Sequence, residues 1–178
     1  MGCWGVKAFE SDEGLDALEW IRNHIPEDGC LHLKELLEQL KLDEWCRPPA
    51  AENGESHSST MLIAELMESF QNGTIEEWEY LPNNPFEKVV SFLAEKESVK
   101  EMCEYLSKTL ESARKNTQDN QWNGWFEETN WNKWQGHMEN LIETMRKILE
   151  QDEDVLELIP QTEQEISEEH IEGGMNME

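Results

Sequence analysis

Ser58-Ser59-Thr60-Met61-Leu62-Ile63-Ala64-Glu65-Leu66-Met67-Glu68-Ser69-Phe70-Gln71-Asn72-Gly73 is the stretch on which the fold turns. A serine at its start supplies a side-chain oxygen to cap a helix, and Asn72-Gly73 is a usual helix ending. Between them Met61, Leu62, Ile63, Leu66, Met67 and Phe70 make more than half the circumference apolar. A helix of that kind has no wet face broad enough for a surface position, so the pattern predicts the centre of a helical bundle.

The same periodicity runs outward in both directions. Asp12 is a candidate cap for a helix bearing Leu15, Leu18, Ile21 and Ile25, stopped by Pro26. After the Glu27-Asp28-Gly29 turn, Leu33, Leu36, Leu37 and Leu40 mark a second helix. Residues 47–57, with two prolines and a glycine, are loop chemistry. Thr74-Ile75-Glu76-Glu77 fits a capping box, whereas Leu81-Pro82-Asn83-Asn84-Pro85 is a turn.

Pro85 then suits the first position of a helix using Val89, Val90, Phe92 and Leu93. Ser98-Val99-Lys100-Glu101 is a capping box for a helix that turns Val99, Met102, Cys103, Leu106, Leu110 and Ala113 inward. Trp134, Met138, Leu141, Ile142, Met145, Ile148 and Leu149 form the most regular amphipathic stripe. No strand-like alternation persists. The expectation is an all-α, compact single-domain bundle of about six helices over residues 1–160, with irregular Pro-rich and Trp-rich loops and an acidic tail at 161–178.

Charge limits the functions open to it. The 178 residues hold 40 acids against 14 bases, a formal net charge of -26. Such a surface repels nucleic acid and anionic membranes and attracts basic proteins. No apolar run approaches the length of a membrane span. Four cysteines (Cys3, Cys30, Cys46 and Cys103) lack metal-pair spacing, and Lys7 and Phe9 lead into acids rather than an apolar signal core. Reduced, mostly buried thiols and a cytoplasmic setting are expected. Met-Gly-Cys has Val6 where acylation signals carry Ser or Thr, so lipidation is not expected.

Met1-Gly2-Cys3-Trp4-Gly5-Val6-Lys7-Ala8-Phe9, followed by the acidic Asp16-Ala17-Leu18-Glu19-Trp20 segment, resembles the opening of the bacterial domain-of-unknown-function family 4259. The apolar helix Met61–Phe70 and the segment Glu127-Glu128-Thr129-Asn130-Trp131-Asn132-Lys133-Trp134 extend that likeness to about residue 150. The resemblance implies a fold and no chemistry.

Catalytic and metal motifs are missing from the sequence. There is no G-x-S-x-G, phosphate loop, dinucleotide fingerprint, H-E-x-x-H or EF-hand pattern, and no His follows a Glu by three. His57 stands in a Ser-rich loop without a spaced partner. Glu65 and Glu68 read as part of a solvated acidic face. Neither enzyme activity nor a cofactor or metal is expected. Trp4, between two glycines, reads as a plug that seals the core.

The candidate binding residues are aromatic and acidic. Trp122, Trp125, Trp131 and Trp134 exceed what one helix face can bury. Trp122 and Trp125, with Phe126, lie among Asn and Gln and are candidate anchors for a partner. Glu76, Glu77 and Glu79 are a candidate acidic contact. The reading is a module that binds and neutralises a basic protein partner, as an immunity protein or inhibitor does. The alternatives are a nucleic-acid mimic that blocks a DNA-binding protein, or a small-molecule-binding domain.

Overall fold

In the computed structural model, which describes residues 3–75, 85–117 and 122–160, five helices pack together with a small sheet, which lies chiefly against the second and fourth of them. The helices are α1 (Asp12–Asn23), α2 (Leu33–Leu42), α3 (Ser59–Asn72), α4 (Lys96–Asn116) and α5 (Glu128–Leu149), and the strands are β1 (Cys30–His32), β2 (Ser91–Glu95) and β3 (Val155–Glu157). Every residue from Ser58 to Met67 is buried. α3 lies against α1, α4 and α5, so its broad apolar surface is covered on several sides. Ser58 Oγ caps it by accepting from Met61 N, and Gly73 ends it in a left-handed conformation.

The chain is mostly helical but not all-α, and the described residues hold five helices rather than six. β2 is the central strand, parallel to β1 and antiparallel to β3. It occupies the stretch that reads as a helix after Pro85, because Val-Val-Ser-Phe-Leu suits a short strand as well as a helix and tertiary pairing decides between them. Pro85–Lys88 is only a 3₁₀ turn. Phe92 and Ala94 point inward from β2, and Phe92 meets Phe70 of α3 with ring centroids 5.5 Å apart.

The Glu157 carboxylate bonds to Phe92 N (2.9 Å) and to the Ser91 hydroxyl, tying β3 to its neighbour. One apolar cluster, from Ala8 to Leu158, joins all five helices to the sheet.

Smaller departures have local causes. Ser11, not Asp12, caps α1: its Oγ accepts from Gly14 N at 2.9 Å and donates to Ala8 O at 2.7 Å. The buried face is Gly14, Ala17, Leu18 and Ile21, with Leu15 exposed. α4 begins at Lys96, ahead of the Ser98 capping box, because β2 runs straight into it. α5 buries Trp134, Met138, Leu141, Ile142, Met145 and Ile148 of its stripe, together with Trp131, while Leu149 is half-buried. No helix of the described residues is long and apolar enough to cross a membrane.

Candidate functional site

The N-terminal segment is laid across α1 and α3, and a buried carboxylate holds it. Ala8 is fully buried and its N–H donates to Glu65 Oε1 at 2.9 Å. The same oxygen lies 2.7 Å from His137 Nε2 of α5, while Oε2 is buried with no hydrogen-bond partner. Burial pushes the Glu65 carboxyl above its ordinary value, opposed by the bond and charge of His137. This corrects the solvated-face reading of Glu65. The plug also shifts: Trp4 is 59% exposed, and Ala8, with half-buried Val6 and Phe9, does the sealing.

The Pro-rich loop is fastened from below. Tyr105 Oη donates to Pro49 O (2.7 Å), Asn123 Nδ2 to Gly54 O (2.7 Å) and Trp134 Nε1 to Ser56 O (2.8 Å). These bonds satisfy carbonyls that a loop packed on helices otherwise leaves dry. They also place His57 beneath the N-terminal segment, with its Nε2 3.0 Å from Gly5 O and 3.4 Å from Cys3 Sγ, and its Nδ1 2.8 Å from Ser56 Oγ.

Those partners assign the tautomer. Gly5 O only accepts, so Nε2 carries the hydrogen and Nδ1 accepts from Ser56. The Cys3 thiol donates to Gly5 O at 3.3 Å. His57 therefore has no free nitrogen to take the thiol proton. Burial lowers the His57 pKa, and burial followed by the Glu10 and Glu13 charges raises that of Cys3. An activated nucleophile needs the reverse of both shifts.

Around His57 two adjoining depressions, of about 220 and 620 Å³, open on the N-terminal face. Glu13, Glu55 and His57 belong to both. Asp16, Trp45 and Arg47 are among the further residues that line the smaller one, and Asn123-Gly124 lines the larger. Burial, then Glu55 and Asp16, raise the Glu13 carboxyl. Among the described residues none of these three acids makes an ion pair.

Trp45, 88% exposed, is held outward by a turn. Asp43 Oδ1 accepts from Trp45 N (2.9 Å) and Cys46 N (2.7 Å), and Oδ2 from Trp20 Nε1 (3.0 Å). The Cys46 amide in particular holds the Asp43 carboxyl below its usual range.

The aromatic candidates separate. Phe126 is 98% exposed, whereas Trp122 and Trp125 are half-buried against the core. They flank a tight turn in which Asn123 (φ 49°) and Gly124 (φ 88°) are both left-handed, with Trp125 N donating to Trp122 O at 2.8 Å. Glu76, Glu77 and Glu79 lie outside the described residues. The cysteines are free, and only Cys103 is buried, against the expectation of mostly buried thiols.

Among the described residues no group of three His, Cys, Asp or Glu could hold a metal ion. Sequence reasoning missed Glu13, Asp16 and Glu55, and it also missed Trp45. Its signal was an aspartate two residues earlier, placed to capture the following amides. No protein-family model, curated protein or solved structure matches the chain, so no residue role comes from a relative.

Proposed function

We propose that the protein is an acidic binding module that captures and neutralises a basic protein partner on its N-terminal face. The observation that carries this reading is the excess of carboxylates, Glu13, Asp16 and Glu55 against Arg47 alone in the lining of the smaller depression, beside the exposed indole of Trp45. Carboxylates in such excess steer a cationic partner and select against anionic ones. Large exposed aromatics give anchoring area at little rotamer cost, and Phe126 offers a second. The likeness of residues 1–150 to family 4259 and a cytoplasmic setting belong to the same proposal.

The test is a pull-down with tagged protein from extracts of the native host, eluted in a salt gradient and identified by mass spectrometry. One basic protein retained at about 1 M salt, where charges are screened within ~3 Å, and lost from Trp45→Ala and Phe126→Ala baits, is the expected result. A DNA-binding partner released at modest salt and displaced by duplex DNA supports mimicry instead. Recovery of no partner overturns both.

A further inference from the structure

We infer that the depression of about 220 Å³ between α1, Trp45 and the start of α3 is a guanidinium pocket, which takes an arginine side chain of the partner. The inference rests on the binding reading above and names the chemistry of its anchor.

Three independent features converge there. The first is charge. Glu13 and Asp16, three apart on α1, stand on one wall, and Glu55 belongs to the loop opposite. The raised Glu13 carboxyl traces to burial and to its two acidic neighbours, which outweigh the opposing charge of the chain's amino terminus. Arg47 also lines the depression but makes no ion pair with these acids among the described residues. His57 adds no positive charge, since burial favours its neutral form.

The second is an unmet hydrogen bond. Ser59 lines the depression, is 7% exposed, and its hydroxyl oxygen is buried with no partner. Buried polar atoms in folded proteins are nearly always satisfied, so an orphan at a cavity wall points to a donor brought from outside. The third is Trp45, whose exposed indole offers a flat face to a cation.

An anion does not fit. The start of α3 is already capped by Ser58, and three carboxylates repel negative charge. Among cations, an ammonium is a compact, strongly hydrated point charge. A guanidinium is planar, weakly hydrated and carries donors in several directions. It can reach carboxylates on opposite walls, donate to the Ser59 hydroxyl and stack on Trp45 together.

The experiment uses the full chain, labelled with ¹⁵N and titrated with N-acetyl-arginine amide. Saturable shifts are expected at the Trp45 indole N–H and at the amides of Glu13, Asp16 and Glu55. Binding is expected to weaken about tenfold in the Glu13→Gln/Glu55→Gln double variant and in Trp45→Ala, all exposed positions. Glu143→Gln, exposed on α5, is expected to bind unchanged. An unaltered amide spectrum elsewhere certifies that the variants are folded.

Equal shifts from N-acetyl-citrulline amide, which lacks the charge, overturn the pocket. So do non-saturating shifts spread over the surface, or unchanged binding in the variants. If the probe fails while a basic partner is still captured through Trp45, the pocket falls and the binding reading stands. If the probe binds and no partner is recovered, the reverse holds.

Discussion

Glu65 carries two bonds on one oxygen and none on the other, in the middle of the helix that centres the fold. Its carboxyl is raised above the ordinary 4.5. Its contribution to stability is therefore full below pH 4.5 and declines as pH rises through the folded-state value. Glu65→Gln keeps an oxygen for Ala8 N–H and His137 Nε2 and removes the buried charge. Urea unfolding is expected to find it at least as stable as the parent at pH 7, with a flatter pH profile above 4.5. Glu65→Ala strands both partners and is expected to lose about 2–4 kcal/mol. A Gln variant as weak as Ala would mean that the charged pair itself holds the N-terminal segment.

Two glycines make a second comparison at this scale. A Cβ on Gly14 would meet Ala8 O at 1.7 Å, so the N-terminal segment crosses where only glycine fits. Gly14→Ala is expected to destabilise by about 3 kcal/mol. Gly136, within α5, has nothing within 4 Å of that position, and Gly136→Ala is expected to stabilise by about 1 kcal/mol. Thermal melts of the pair check both signs.

At the scale of elements, legibility followed how much of an element's shape is local. α3 and α5 were readable because their burial repeats along their own residues. β1 and β3 have three residues each, too few for a period, and β2 is a strand only because both flank it. The Trp122-Asn123-Gly124-Trp125 turn carried the strongest short hairpin signal there is, Asn-Gly. Without that turn its tryptophans read as loop anchors; with it, both lie half-buried against the core. The depressions beside His57 were illegible for a plain reason: Glu13 and Glu55 come together only after the loop at 47–57 is fastened to α4 and α5.

That fastening is testable. The Tyr105 hydroxyl, bonded to Pro49 O, is pushed up to about 12, chiefly by burial. The raised value means that its contribution is full below pH 10 and disappears as the pH climbs towards 12. In a Tyr80→Phe background, absorbance titration is expected to find the remaining tyrosine ionising near 12. Tyr105→Phe is expected to lose about 1 kcal/mol and to loosen exchange protection of the loop. Ionisation at the ordinary value of 10 would mean that the loop does not stay seated on α4.

At the scale of the whole molecule, the net charge of -26 opposes compaction while steering partners. The penalty is a screened, long-range one, because the Debye length falls from ~30 Å at 0.01 M to ~8 Å at 0.15 M salt. The melting temperature is therefore expected to rise steadily over that range. Six acids and no Lys or Arg lie in residues 161–178, so a 1–160 chain has six fewer negative charges and carries -20 in place of -26. If the folded unit ends at residue 160, that shorter chain keeps the circular dichroism spectrum of the full one. It also melts higher at low salt, where repulsion is strongest, and the two curves converge as salt is added. A shorter chain that melts lower at every salt concentration would instead make 161–178 part of the folded unit. The difference between the curves thus separates what the tail does by charge from what it does by contact.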